Sequence, residues 1–118
     1  MKNLKRTALL LGLFIFSVSS FGQSNVPEPT GIATVTEDYC VTLSTEKPLQ
    51  NYYEIDITDL ALESEYMAKK RFGHINNNLL TYHVDYSNSR VILEVHWDRV
   101  KETTDVNWWN TYLSDLCK

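Results

Sequence analysis

The chain has 118 residues, with eleven Lys and Arg against fifteen Asp and Glu, for a formal charge of −4. Three of the basic residues, Lys2, Lys5 and Arg6, precede the apolar run Ala8 to Phe16, and Ser20-Phe21-Gly22 supplies a small-x-small cleavage signal, so residues 1–22 read as a secretory signal peptide. Removing them takes the formal charge to −7, and with Lys69-Lys70-Arg71 as the best basic cluster the composition argues against nucleic acid as a partner.

The alternative to cleavage is a retained N-terminal anchor. The apolar run is shorter than the roughly 20 residues a bilayer core requires, so no stable membrane span is expected once the signal is cut. No Cys follows the run at the cleavage point, which argues against a lipid anchor. About 95 residues remain, room for one hydrophobic core but not two. Export places the mature chain in the periplasm or outside the cell.

Both cysteines, Cys40 and Cys117, lie in the mature part. In an oxidising compartment such a pair reads as a disulfide; a redox or metal-binding pair would call for CxxC spacing, which is missing. Closing so long a loop is worth about 4 kcal/mol in the chain-entropy model.

In chain order, residues 23–31 are polar with two prolines and read as a flexible lead-in to a single domain over 32–118. Tyr39, Val41 and Leu43 alternate with polar positions, as do Tyr53, Ile55 and Ile57, which predicts two strands paired as a hairpin. Thr58 or Asp59 is placed to cap a helix over 60–72, with Gly73 as its stop and Glu65 and Lys69 as an i,i+4 pair. Leu80, Tyr82, Val84 and Tyr86, then Ser87 to Arg90, then Val91, Leu93, Val95 and Trp97 predict a second hairpin. A two-residue turn at Asn88-Ser89 would set Tyr86 against Val91, Val84 against Leu93 and Tyr82 against Val95. A last helix over 105–116 follows Thr103 or Thr104 as cap, with Val106, Trp109, Leu113 and Leu116 on one face.

The order β-β-α-β-β-α resembles the plan of heavy-metal-associated and other ferredoxin-like domains over Tyr52 to Leu116. The resemblance implies an α+β fold, here a permuted ferredoxin-like sandwich with a four-strand antiparallel sheet and two helices on one face. That family's metal loop carries two cysteines, whereas Ile57 to Leu62 carries none, so its copper-carrying role is not implied. Alternation also sets Cys40 on the face opposite Tyr39 and Val41, while Cys117 ends a covering helix. A bond, which needs Cα atoms within about 7 Å, then requires a wrap around the sheet edge or a bulge at Cys40; otherwise the two do not pair within one chain.

The face away from the helices collects Glu54, Asp56, His83, Asp85, Glu94 and His96. In the predicted register His83 lies opposite Glu94 and diagonal to His96, a donor set suited to zinc or copper. The competing reading is an ordinary solvated sheet face with a cross-strand His–Glu pair and no cofactor. No GxSxG elbow, P-loop, dinucleotide glycine pattern or Cys–His arrangement is present. Glu54, Asp56 and Glu94 on an open face lack the water-excluding pocket that acid–base work needs. The sequence is therefore read as non-enzymatic, a module for an unknown protein, peptide or ligand. Its open face and edge strand, with Tyr52, Trp108 and Tyr112, are the candidate contacts.

Overall fold

The computed structural model describes residues 26–117, so the signal-peptide expectation for residues 1–22 lies outside the described residues. Five strands, β1 (Gly31–Val35), β2 (Val41–Leu43), β3 (Tyr52–Asp56), β4 (Leu80–Asp85) and β5 (Arg90–Val95), form one sheet in the order β2-β1-β3-β5-β4. Helices α1 (Glu65–Gly73) and α2 (Val106–Leu116) complete an α+β domain. Phe72 of α1 and Trp109 and Leu113 of α2 share one buried cluster with Ala33, Leu43, Tyr53, Ile55, Val91 and Leu93, so both helices cover the same face of the sheet.

The sheet departs from the expected four antiparallel strands. β1 inserts between β2 and β3, pairing antiparallel with β2 (Thr34 opposite Thr42) and parallel with β3 (Gly31 opposite Tyr53), so the sheet is mixed and the direct 39–43 to 53–57 hairpin is absent. The inward positions of β1 begin with Gly31 and Ala33, both buried, and such small side chains give little hydrophobic signal after a proline-rich start. Their size is the reason they are there. A Cβ on Gly31 would come within 2.6 Å of the Tyr53 ring, and that ring is buried with its hydroxyl accepting from the Gln50 N–H at 2.9 Å.

The first predicted strand begins two residues late. Tyr39 adopts a left-handed backbone (φ 64°) in a turn closed by Tyr39 N–H on Thr36 O at 2.9 Å, which takes Cys40 out of the strand alternation. Cys40 and Cys117 are consequently disulfide-bonded, with Cα atoms 5.4 Å apart, and the facing conflict in the sequence reading disappears. The Tyr39 ring meets Phe72 edge-on at 5.4 Å.

Helix α1 also starts late. Thr58–Leu60 form a 3-10 turn ended by left-handed Ala61 (φ 49°), and the helix restarts where Ser64 accepts from Met67 N–H. For α2 the cap is Asp105, not a threonine; its carboxylate accepts from Trp108 N–H at 2.8 Å. Thr104 instead accepts from the Trp109 indole at 2.9 Å. Leu116, expected on the buried face, is about half exposed at the end of the helix.

In the second hairpin the ladder is displaced by two residues: Val84 faces Val91, Tyr82 faces Leu93, and Asp85 faces Arg90. The connection is a 3-10 turn over Tyr86–Asn88 followed by left-handed Ser89 (φ 53°). A shift of two keeps every side chain on its face, so apolar matching alone cannot choose between the registers. Turn chemistry does. The Asp85 carboxylate accepts from the Asn88 amide at 3.0 Å and the Arg90 Nε at 2.8 Å, drawing both ends of the turn together.

The two glycines among the described residues give opposite expectations. Gly31→Ala should lower stability in urea unfolding by about 1–3 kcal/mol through overpacking. Gly73→Ala, on a helical backbone with open space around it, should raise stability by about 0.5–1 kcal/mol.

Candidate functional site

The outer face of the sheet brings together the three residues that the sequence nominated for metal. His83 Nε2 lies 3.0 Å from Glu94 Oε1, and His96 Nδ1 lies 3.6 Å from Glu94 Oε2. Because of the register shift His83 reaches Glu94 diagonally, while Thr81 stands directly opposite Glu94 and its hydroxyl meets His96 Nε2 at 2.8 Å. The carboxylate thus lies between the two rings and contacts both. Among the described residues no group of three or more His, Cys, Asp or Glu is arranged to hold a metal ion.

The remaining outer-face carboxylates are also engaged. Arg90 bonds Asp85, whose side chain is almost fully buried, and reaches Glu54 at 3.5 Å. The hydrogen bond to Asp85 is the main cause of a raised guanidinium pKa. Asp56 accepts from the Thr58 hydroxyl at 2.6 Å and backbone N–H at 2.9 Å, and these bonds hold its carboxyl below the usual range.

This face is not open along its whole width. Thr30 N–H bonds Tyr52 O at the edge of β3, yet Val26 shares a cleft with His83 and Ser87 at the far edge of β4. Residues 26–30 therefore begin beside β4 and end beside β3. Ile92, which points away from the helix-side cluster, is nonetheless fully buried. In the described part of the lead-in Val26, Pro27 and Pro29 are half-buried and Glu28 and Thr30 exposed, and its last residue, Gly31, belongs to β1.

Both sheet edges are sealed by asparagine side chains. The bond from His96 N–H to Leu79 O fixes the ladder phase, so the backbones of Leu80, Tyr82 and Val84 point outward from β4. Asn77 Oδ1 accepts from Leu80 N–H at 2.9 Å, Asn77 N–H donates to Leu80 O at 2.9 Å, and Asn76 Oδ1 accepts from Tyr82 N–H at 2.6 Å. At the opposite edge, Asn110 of α2 accepts from Leu43 N–H at 2.8 Å and donates to Leu43 O at 3.0 Å. Val84, Val41 and the Tyr82 carbonyl remain for an added strand, so the exposed edge anticipated from sequence is in large part occupied.

Of the anticipated aromatic contacts, Trp108 and Tyr112 stack at 5.7 Å and pack against the core, with the Tyr112 hydroxyl accepting from Asn77. Tyr52 stands beside Glu94 on the outer face, partly buried.

The sequence reading missed Trp97. Strand alternation assigns it to the core, but β5 ends at Val95 and a 3-10 turn over Trp97–Arg99 throws the indole outward, leaving 46 % of the residue exposed. Its Nε1–H donates to the side-chain oxygen of Asn51, 46 residues earlier, which fixes the ring's orientation. Trp97 lines a cleft of about 560 Å³ with Leu49, Asn51, Asp98, Val100 and residues 101–104. The side chains of Asp98, Lys101, Glu102 and Thr103 make no hydrogen bond or ion pair with another described residue. A second cleft, about 370 Å³, is bordered by Glu37, Asp59, Glu63 and Arg71, with the Arg71 guanidinium 6.0 Å over the Tyr39 ring.

No protein-family model, curated protein or solved structure matches the chain.

Asn110→Ala removes both partners of the Leu43 backbone at a half-buried edge. It should cost about 1–3 kcal/mol in urea unfolding, with the protection of Leu43 N–H in hydrogen exchange falling more than that of Val91.

Proposed function

We propose that the protein is a small exported, non-enzymatic module that binds a ligand or protein partner, and that the Trp97 cleft is its recognition surface. The observation that carries this reading is an indole held at a fixed angle by Asn51, nearly half exposed, beside four polar side chains with no described partner. An exposed aromatic already ordered in the free protein costs little further entropy when it binds, which is why Trp dominates recognition surfaces. The sealed edges favour a cleft over strand addition. The disulfide is compatible with export, and no helix among the described residues is long and apolar enough to cross a membrane. The engaged state of Glu54, Asp56 and Glu94 supports the non-enzymatic reading, since each carboxylate already serves a neighbour. Placement of both helices on one face keeps the ferredoxin-like comparison as a proposal about layout, with β1 as an addition to it.

An NMR screen of the labelled mature domain against a mixed library of small molecules and short peptides tests the surface. Hits should converge on the Trp97 indole signal and vanish in Trp97→Ala at unchanged Tm. Hits spread over the outer sheet face, or none at all, would reject the reading.

The convergence of two imidazoles on Glu94 favours one second reading, a metal-binding protein using His83, Glu94 and His96. Zinc or copper would have to displace the direct His–Glu contacts, because metal and proton compete for the same ring nitrogens. On the first reading, zinc or copper titration followed by thermal melting leaves Tm unchanged. A stoichiometric rise abolished by His83→Ala and by His96→Ala would establish the second.

A further inference from the structure

We infer that the Trp97 cleft takes a saccharide, with a pyranose ring laid on the indole and its hydroxyls bonded to the rim; this rests on reading the cleft as the recognition surface. The chemistry of the lining narrows the ligand. With Nε1–H committed to Asn51, the indole offers a visitor its carbon framework and π face, not its one donor. A pyranose presents a patch of polarised C–H bonds that suits such a face, ringed by hydroxyls that each donate and accept. The rim matches that duality. Asp98 and Glu102 accept, Lys101 donates, and Thr103 does both.

The charge balance points the same way. One lysine against two carboxylates is close to neutral, so the rim does not select a phosphate or other anion, nor strongly a cation. A neutral polar ligand fits best. An extended peptide is the chief competitor, and it would draw affinity from backbone pairing with a strand edge. Those edges are occupied at Leu80, Tyr82 and Leu43. The cleft lies within the size range of small-ligand sites, and being open, with an apolar floor and a polar rim, it suits weak binding of one or two sugar units.

The cleft is also built on fixed backbone. Val95 N–H donates to Asn51 O at 2.9 Å, Val100 N–H to Trp97 O at 3.2 Å, and Arg99 Nη1 to Asn78 O at 2.7 Å. Both sides of the indole are therefore tied to the sheet or to the loop that caps β4. Such a site needs no rearrangement to receive a rigid ring.

The test titrates the full mature protein with glucose, galactose, xylose, N-acetylglucosamine and their β-1,4-linked disaccharides, following the three indole N–H signals and tryptophan fluorescence. A saturable change confined to Trp97 for at least one sugar is expected. Trp97→Ala should weaken it at least about tenfold, as for a central aromatic contact. Asp98→Ala, at the exposed rim, should weaken it by a smaller factor with folding intact, which keeps the test decisive if Trp97→Ala melts low. Saturable sugar binding mapped elsewhere, or unchanged in both variants, overturns the proposal. No saturable change with any of these sugars up to 100-fold excess over the protein overturns it too. If peptides or other small molecules from the library shift Trp97 while every sugar fails, the saccharide assignment falls and the recognition surface stands; if nothing shifts Trp97, both fall.

Discussion

The side-chain amide of Asn110 occupies the place where a sixth strand would begin, and much of the domain's architecture depends on that substitution. β2 has only three residues, so β1 alone would hold it weakly. Asn110 accepts from and donates to the Leu43 backbone, while the disulfide from Cys40 fixes the strand's other end to the tail of α2. The short strand is thereby held between β1 and the helix. Trp109 and Leu113, close to Asn110 on α2, then share the core cluster with Leu43 and Tyr53. At the opposite edge, Asn76 and Asn77 do for β4 what Asn110 does for β2, and the Tyr112 hydroxyl links Asn77 back to α2. A five-strand sheet in a chain this small has two edges open to self-association, and here side-chain amides close them without adding residues.

Sequence patterning reached as far as physics with a period of two can reach. It identified β3, β4, β5 and the buried stripe of α2, where large apolar side chains recur at the required spacing. It failed where the deciding residues are small or polar. β1 buries Gly31 and Ala33, which look like linker residues until the Tyr53 ring that fills their space is known. The hairpin register was ambiguous in units of two, and the choice lay in Asp85, a carboxylate that looked like one more exposed polar residue but is buried as the anchor of its turn. Left-handed Tyr39 and Ala61 delayed the starts of two predicted elements with no glycine to announce them.

The same degeneracy explains why the His83, Glu94 and His96 cluster survived an incorrect register. Moving the ladder by two changes which residues are opposite and which are diagonal, but the diagonal separation on one face is still within reach of an imidazole and a glutamate. Facing was legible; contact geometry was not. Trp97 shows the converse. Its place in the alternating run is correct by parity, yet the strand has already ended, and only the pairing of Asn51 with the indole shows that the ring is held in solvent instead of buried. A tryptophan at the end of a strand, followed by Asp-Arg and a run of charged residues and threonines, is the signal that would have separated it from the core.

Taken together, these constraints leave the molecule few places to meet a partner. The inner face is filled by α1 and α2, amides occupy part of both edges, and the outer face is laced by the His83–Glu94–His96 and Asp85–Arg90–Glu54 contacts. Apart from the cleft beside Arg71 and the outer face of β1 around exposed Ile32, this leaves the corner where the β2–β3 loop meets the segment after β5, at one end of the sheet. That corner is also the place where ordering and exposure coincide: Asn51 anchors Val95 through its carbonyl and Trp97 through its side chain, so a residue of the fold's framework aims the most exposed tryptophan of the chain. A side chain serving only the core would gain nothing from being so held outside it. The exposed indole leaves apolar surface in water that a covering group would remove from it.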